Sequence, residues 1–133
     1  AYWSPVFPYT SPVTGMNSKQ LTAAYETATS KEWTQQLGAS MSLIDAGFAA
    51  LKNCGAPKDK AALAKAMSVL DVVTTVGRIN FPKGPVPNVA TSPIIGAQWV
   101  KAKPGSRFKL DLITIEHACD TNVPIQAKLR PYA

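Results

Sequence analysis

The chain has one histidine, two cysteines and no apolar run long enough to span a membrane. Cys54 and Cys119 lie far apart, with no CxxC and no Cys/His ligand spacing. A tetrahedral zinc site would need two more ligands from scattered carboxylates, so no metal is expected. A disulfide between the two cysteines is chemically allowed in an oxidising compartment, but sequence alone does not bring the sulfurs together. The eight glycines are scattered and form no phosphate-binding loop. His117 has Glu116 and Asp120 beside it, yet ITIEHACDT matches no nucleophile elbow or Cys-His arrangement. The sequence therefore offers no recognisable enzyme active site, and no catalytic residue and no cofactor are expected. The opening Ala1-Tyr2-Trp3 carries neither a basic region nor an apolar core of the secretory-signal kind.

What is present is enough for one ordinary domain of 133 residues with a hydrophobic fraction of 46%. The eleven prolines cluster at Pro5, Pro8 and Pro12 and again at Pro82, Pro85, Pro87 and Pro93, marking extended or turning chain. The net charge of +6 is spread along the sequence, with only a modest concentration between Lys101 and Lys109. Nucleic-acid binders concentrate charge on one face or interleave it with aromatics, so no nucleic acid is expected as a partner.

The first seventeen residues read as a strand end, Ala1–Pro5, running into a proline-broken loop that holds Tyr2, Trp3, Phe7 and Tyr9. Such loop aromatics either plug a core or line a cleft. Ser18 is placed to cap a first helix carrying Leu21, Ala24, Tyr25 and Ala28. A second helix is predicted over Thr34–Asn53, with Leu37, Met41, Ile44, Phe48 and Leu51 as its core stripe and Gly55 as its stop. The many small residues around that stripe suggest packing on more than one face. Asp59 caps a third helix with Leu63, Ala66, Met67 and Leu70. Strands follow at Val72–Val76, Ile79–Phe81, Ile94–Val100 and Phe108–Ile115, the last two joined by a Lys103–Ser106 turn. Residues 120–133 read as a tail.

Tyr2-Trp3-Ser4-Pro5, Thr14-Gly15 and Trp33-Thr34-Gln35 with Gly38 resemble the branched-chain amino acid type of ABC-transporter substrate-binding proteins. Val76-Gly77, Phe81, Pro85, Asn88-Val89-Ala90, Pro93 and Gly96-Ala97-Gln98-Trp99 are similar to the closing segment of that family. The resemblance implies an α/β fold, the C-terminal part of a type I periplasmic binding protein. There, two lobes are joined by crossover strands, and this chain would supply helices and a small mixed sheet. On that reading residues 1–32 belong roughly to the second lobe, 33–100 mostly to the first, and 101–133 hold terminal strands and a tail near the hinge. A signal peptide would lie upstream, and the location would be the periplasm.

The function so implied is capture of a small solute, such as an amino acid, amide or aromatic carboxylate, by hinge closure. Delivery to a membrane permease would follow. The ligand-facing residues implied in this chain are Tyr2, Trp3, Ser4, Trp33 and Gln35. Arg78 and the cysteine pair depart from the family pattern. The alternative is an interaction or structural module that self-associates through exposed apolar faces.

Overall fold

A computed structural model of the chain describes residues 1–117 and 119–131. It holds three helices, α1 (Ser18–Thr29), α2 (Gln35–Asn53) and α3 (Lys60–Ser68). Four strands follow: β1 (Asp71–Thr74), β2 (Gly77–Asn80), β3 (Gly96–Lys101) and β4 (Leu110–Glu116). The class is mixed α/β. The strands pair as two antiparallel hairpins, β1 with β2 and β3 with β4, in place of the expected mixed sheet. Both connections are too short for a parallel crossover, which needs a dozen or more residues.

Local chemistry accounts for most element ends. Asn17, not Ser18, caps α1, accepting from the Gln20 N–H while the Gln20 side chain accepts from the Asn17 N–H. This reciprocal pair satisfies two donors that a helix start leaves unpaired. Asp59 caps α3 through the N–H groups of Ala61 and Ala62. The expected strand at Ala1–Pro5 is absent. Ala1 exchanges both backbone hydrogen bonds with Ile95, and then Ser4 starts a tight turn closed by the Phe7 N–H. Pro5 sits inside that turn, where its fixed φ is an asset and its missing N–H costs nothing.

Two apolar clusters lie beneath these elements. The larger joins Trp3, Phe7, Val76, Ile95 and Val123, contributed by four separate stretches of chain. The smaller packs Ala46 and Ala50 of α2 against Leu70. Residues expected to form a tail thus supply Val123, fully buried, and they are tied down further on. The Gln98 side chain donates to the Arg130 carbonyl and accepts from its N–H, imitating one rung of a β-ladder. The Gln126 side chain accepts from the Thr114 N–H, and the Gln126 N–H donates to the Thr114 carbonyl.

The predicted stripe of α2 is only partly the inner face. Met41 is buried, but Ile44 is 48% and Phe48 57% exposed, and neighbouring Leu43 is 75% exposed. What faces inward is Gly38, Met41, Ser42, Asp45, Ala46 and Ala50. Small residues fit the inner face where the Trp3 ring and Leu70 pack closely against it. The Trp3 ring lies on Gly38, where an added Cβ would stand 2.1 Å from Trp3 Cγ. Asp45 is fully buried, accepting from Ser11 Oγ at 2.6 Å and from the Thr75 N–H at 3.2 Å.

Gly38→Ala should cost at least about 2 kcal/mol in urea unfolding, because overpacking against a fixed ring outweighs the helix-propensity gain. Gly47→Ala, where a Cβ meets nothing within 4 Å, should instead stabilise by about 0.5–1 kcal/mol. Equal effects at the two glycines would contradict the packing of Trp3 on α2.

Candidate functional site

α2 begins where three aromatic residues from distant parts of the sequence converge. Trp33, just before the helix, meets Trp3 edge-on at 5.7 Å between centroids and stacks with Trp99 of β3 at 6.5 Å and 26°. Tyr2 is held beside them by its N–H, which donates to Gln35 Oε1 at 3.0 Å. Thr34 has the extended backbone of a helix cap, but its side chain makes no capping bond. The Leu37 N–H donates to the Thr34 carbonyl, and the Gln35 and Gln36 N–H groups at the start of α2 are left without a side-chain cap.

These residues surround an open recess of ≈ 350 Å³, lined by Tyr2, Glu32, Trp33, Gln35 and Trp99 with Thr34 and Gln36 at its edge. That volume lies within the range of small-ligand sites. Of the five residues named from the sequence, the structure brings Tyr2, Trp33 and Gln35 together. Trp3 and Ser4 are not among the residues lining the recess: both are buried, Trp3 entirely, and they stand behind its wall. Trp3 serves as the plate on which Trp33 rests, and truncating so large a buried side chain typically costs about 3–5 kcal/mol.

Sequence reasoning missed Trp99 as a wall residue. Strand alternation gives no warning, because the polar Gln98 is buried and the aromatic Trp99 is the exposed neighbour. Gln98 can turn inward only because Arg130 satisfies both ends of its amide. Glu32 and Gln36 were likewise unmarked. A second, larger depression of ≈ 550 Å³ shares Tyr2 and Gln36 with the recess and runs over Ala39, Leu43 and Val89. None of its lining residues carries a charge.

The residues weighed for chemistry separate. The His117 ring bonds the Val123 carbonyl through Nδ1 at 2.6 Å, while its backbone N–H donates to the Glu116 carboxylate. The Asp120 carboxylate is taken by the Tyr9 hydroxyl and by Asn122. Cys54 and Cys119 are both free thiols. Among the described residues no three His, Cys, Asp or Glu side chains gather as a metal site, and no helix is long and apolar enough to cross a membrane. Arg78 forms a bidentate pair with Asp71, and this hydrogen-bonded guanidinium holds the carboxyl below its ordinary range. The pair is solvent-exposed and fastens the open end of the first hairpin. Comparison with protein-family models, curated proteins and solved structures finds no match to this chain.

Tyr9 packs against the larger core cluster and bonds Asp120. Burial pushes its phenol above the ordinary value of 10.0, and the bonded Asp120 adds to the rise. The neutral phenol is therefore favoured by folding. Its contribution is complete below the unfolded value and is lost as pH rises through the higher folded one. Phenolate absorbance should show Tyr9 ionising later than free tyrosine. Tyr9→Phe should remove that late step and flatten the alkaline fall in stability.

Proposed function

We propose that this chain belongs to the solute-binding component of an ABC importer, acting in the periplasm to capture a small molecule and present it to a membrane permease. The observation that carries the reading is the meeting of Tyr2, Trp33 and Gln35 with Trp99 around one open recess. Three of the residues that the family resemblance assigns to the cleft, Tyr2 from the chain start and Trp33 and Gln35 from the start of α2, line it together here. The lining suits a solute with a flat or apolar portion to lie against indole faces. Gln35, Gln36 and the open helix start offer donors, and Glu32 offers an acceptor. An amino acid, an amide or an aromatic carboxylate has that combination of parts.

The mechanism is binding without covalent chemistry. An open recess of this kind is one wall of a cleft, and hinge closure brings up a facing wall. The solute then stabilises the closed state by its contacts with both sides, and release reverses the motion. The type I two-lobe fold is part of the same proposal, with residues 1–32, 33–100 and 101–133 distributed between lobes and hinge as the resemblance implies. A single wall removes only part of a ligand from water, so affinity at this wall alone is expected in the millimolar range.

Titration of the 133-residue chain with leucine, isobutyramide and benzoate tests this directly. At least one should shift the indole N–H resonances of Trp33 and Trp99 while leaving the buried Trp3 unchanged. Trp33→Ala should abolish the response. If none of the three perturbs either indole at high millimolar concentration, the solute-binding reading fails. Submicromolar binding would instead overturn the single-wall account.

A further inference from the structure

The ≈ 550 Å³ depression lies where the two apolar clusters meet. Its lining takes Val76 and Ile79 from the larger cluster and Ala46 and Phe81 from the smaller. Ser42, the buried hydroxyl of that lining, is committed to its own helix, donating to the Ala39 carbonyl at 2.7 Å. The other polar lining residues, Tyr2, Gln36, Ser40, Asn88 and Ser92, are all exposed. The hollow is therefore apolar in its depth and polar only where it meets solvent.

One wall is a loop that its own backbone holds in shape. The Gly84 N–H donates to the Phe81 carbonyl, and the Val89 N–H donates to the Val86 carbonyl. A Cβ on Gly84 would stand 1.5 Å from the Val89 carbonyl oxygen, so only glycine permits this fold of the loop. Asn88 carries the turn at φ 64°, a left-handed conformation that asparagine adopts more readily than most residues. Pro82, Pro85 and Pro87 stiffen the same stretch. Asn88, Val89 and Ala90 are thereby presented to the depression as a pre-formed wall.

Such a hollow takes hydrocarbon. A charged group would lose its hydration there and find no counter-charge, whereas each methylene gains by leaving water. What delivers hydrocarbon to it is set by its neighbour. The depression adjoins the indole recess at Tyr2 and Gln36, and both of these shared residues are exposed. A molecule whose flat head lies on Trp33 and Trp99 has this apolar trough at the edge of its own site.

We propose that the solute is an amphiphile, with a compact planar head in the recess and an unbranched hydrocarbon tail that passes Tyr2 and Gln36 into the depression. The inference rests on the solute-binding reading and narrows its solutes to those that bear such a tail. Specificity for the tail then falls to residues that take no part in the recess, Ile79 of β2 and Phe81 beyond it among them.

Titration of the 133-residue chain with benzamide and its para-ethyl, para-butyl and para-hexyl derivatives tests this, with the matching benzoates as a second head. Affinity should rise roughly two- to fourfold per methylene in both series. The indole N–H resonances of Trp33 and Trp99 should shift with every member, and the methyls of Ile79 and Val89 only with the longer tails. Val89→Asp on the loop wall and Ser40→Glu on the helix wall, both at exposed positions, should each abolish the increment. Leu129→Asp, exposed and outside the depression, should leave it in place. Far-ultraviolet circular dichroism of each variant checks that it is folded.

If the parent heads shift the indoles but affinity ignores tail length, the inference fails and the solute reading stands. If the longer members shift the Ile79 and Val89 methyls while both indoles stay silent, or if no member binds, both fail together. An increment that survives both charged substitutions also overturns the inference, because the tail then lies elsewhere.

Discussion

Asp45 is the constraint on which the rest of the structure depends. A carboxyl group inside a protein loses water on every side, at a cost of several kcal/mol unless donors replace it. Two donors do so here, the Ser11 hydroxyl from the N-terminal loop and the Thr75 N–H from the tip of the first hairpin. Thr75 then returns a bond to the same helix, its hydroxyl donating to the Gly38 carbonyl at 2.9 Å. Ser11 also accepts from the N–H groups of Val13 and Thr14, which fixes the loop that presents it. The one ionisable side chain between Gln35 and Leu51 thus sets the rotation of α2. With α2 turned to reach Ser11 and Thr75, Gly38 must lie under Trp3, and the Leu43–Phe48 ridge must face outward.

That rotation explains why the helix was legible in the sequence and its faces were not. Periodicity and the Gly55 stop place α2 to within a residue, and Asp59 places α3, but the β-branched run Val72–Val76, expected as a strand, turns at Thr75–Val76 to form the first hairpin. Periodicity then assigns the larger apolar stripe to the core. The competing signal, a buried carboxyl, consists of two contacts, 34 positions back and 30 positions on, and no local pattern announces them. The same limit applies at Gln98 and Trp99, where the partner that draws the polar residue inward lies at Arg130. It applies again at Val123, whose proline-flanked surroundings look like a tail.

The recess inherits its form from these long-range contacts. Tyr2, Trp33 and Gln35 could be singled out from sequence, yet their arrangement comes from Trp3, which is anchored on a glycine and supports Trp33 from behind. Trp99 completes the wall because β3 is turned by its pairing with β4 and by the Gln98 amide. A rigid floor of buried indole under the half-buried Trp33 and the exposed Trp99 is what pre-organises a binding surface, since few rotamers are left to freeze when a ligand arrives. The open first turn of α2 is the polar counterpart, its N–H groups fixed by helix geometry.

Val123 gives the larger core a particular history during synthesis. Ribosomes add roughly 5–20 residues per second, so Trp3 and Phe7 emerge several seconds before the residue that seals them in. Throughout that interval the aromatic end of the molecule is made but unsealed, while α1, α2 and α3 can already form from local contacts. Closure comes only when the segment around Asp120 and Val123 folds back to Tyr9, across 111 positions of chain. A chain arrested before Val123 would therefore keep its aromatic core unsealed.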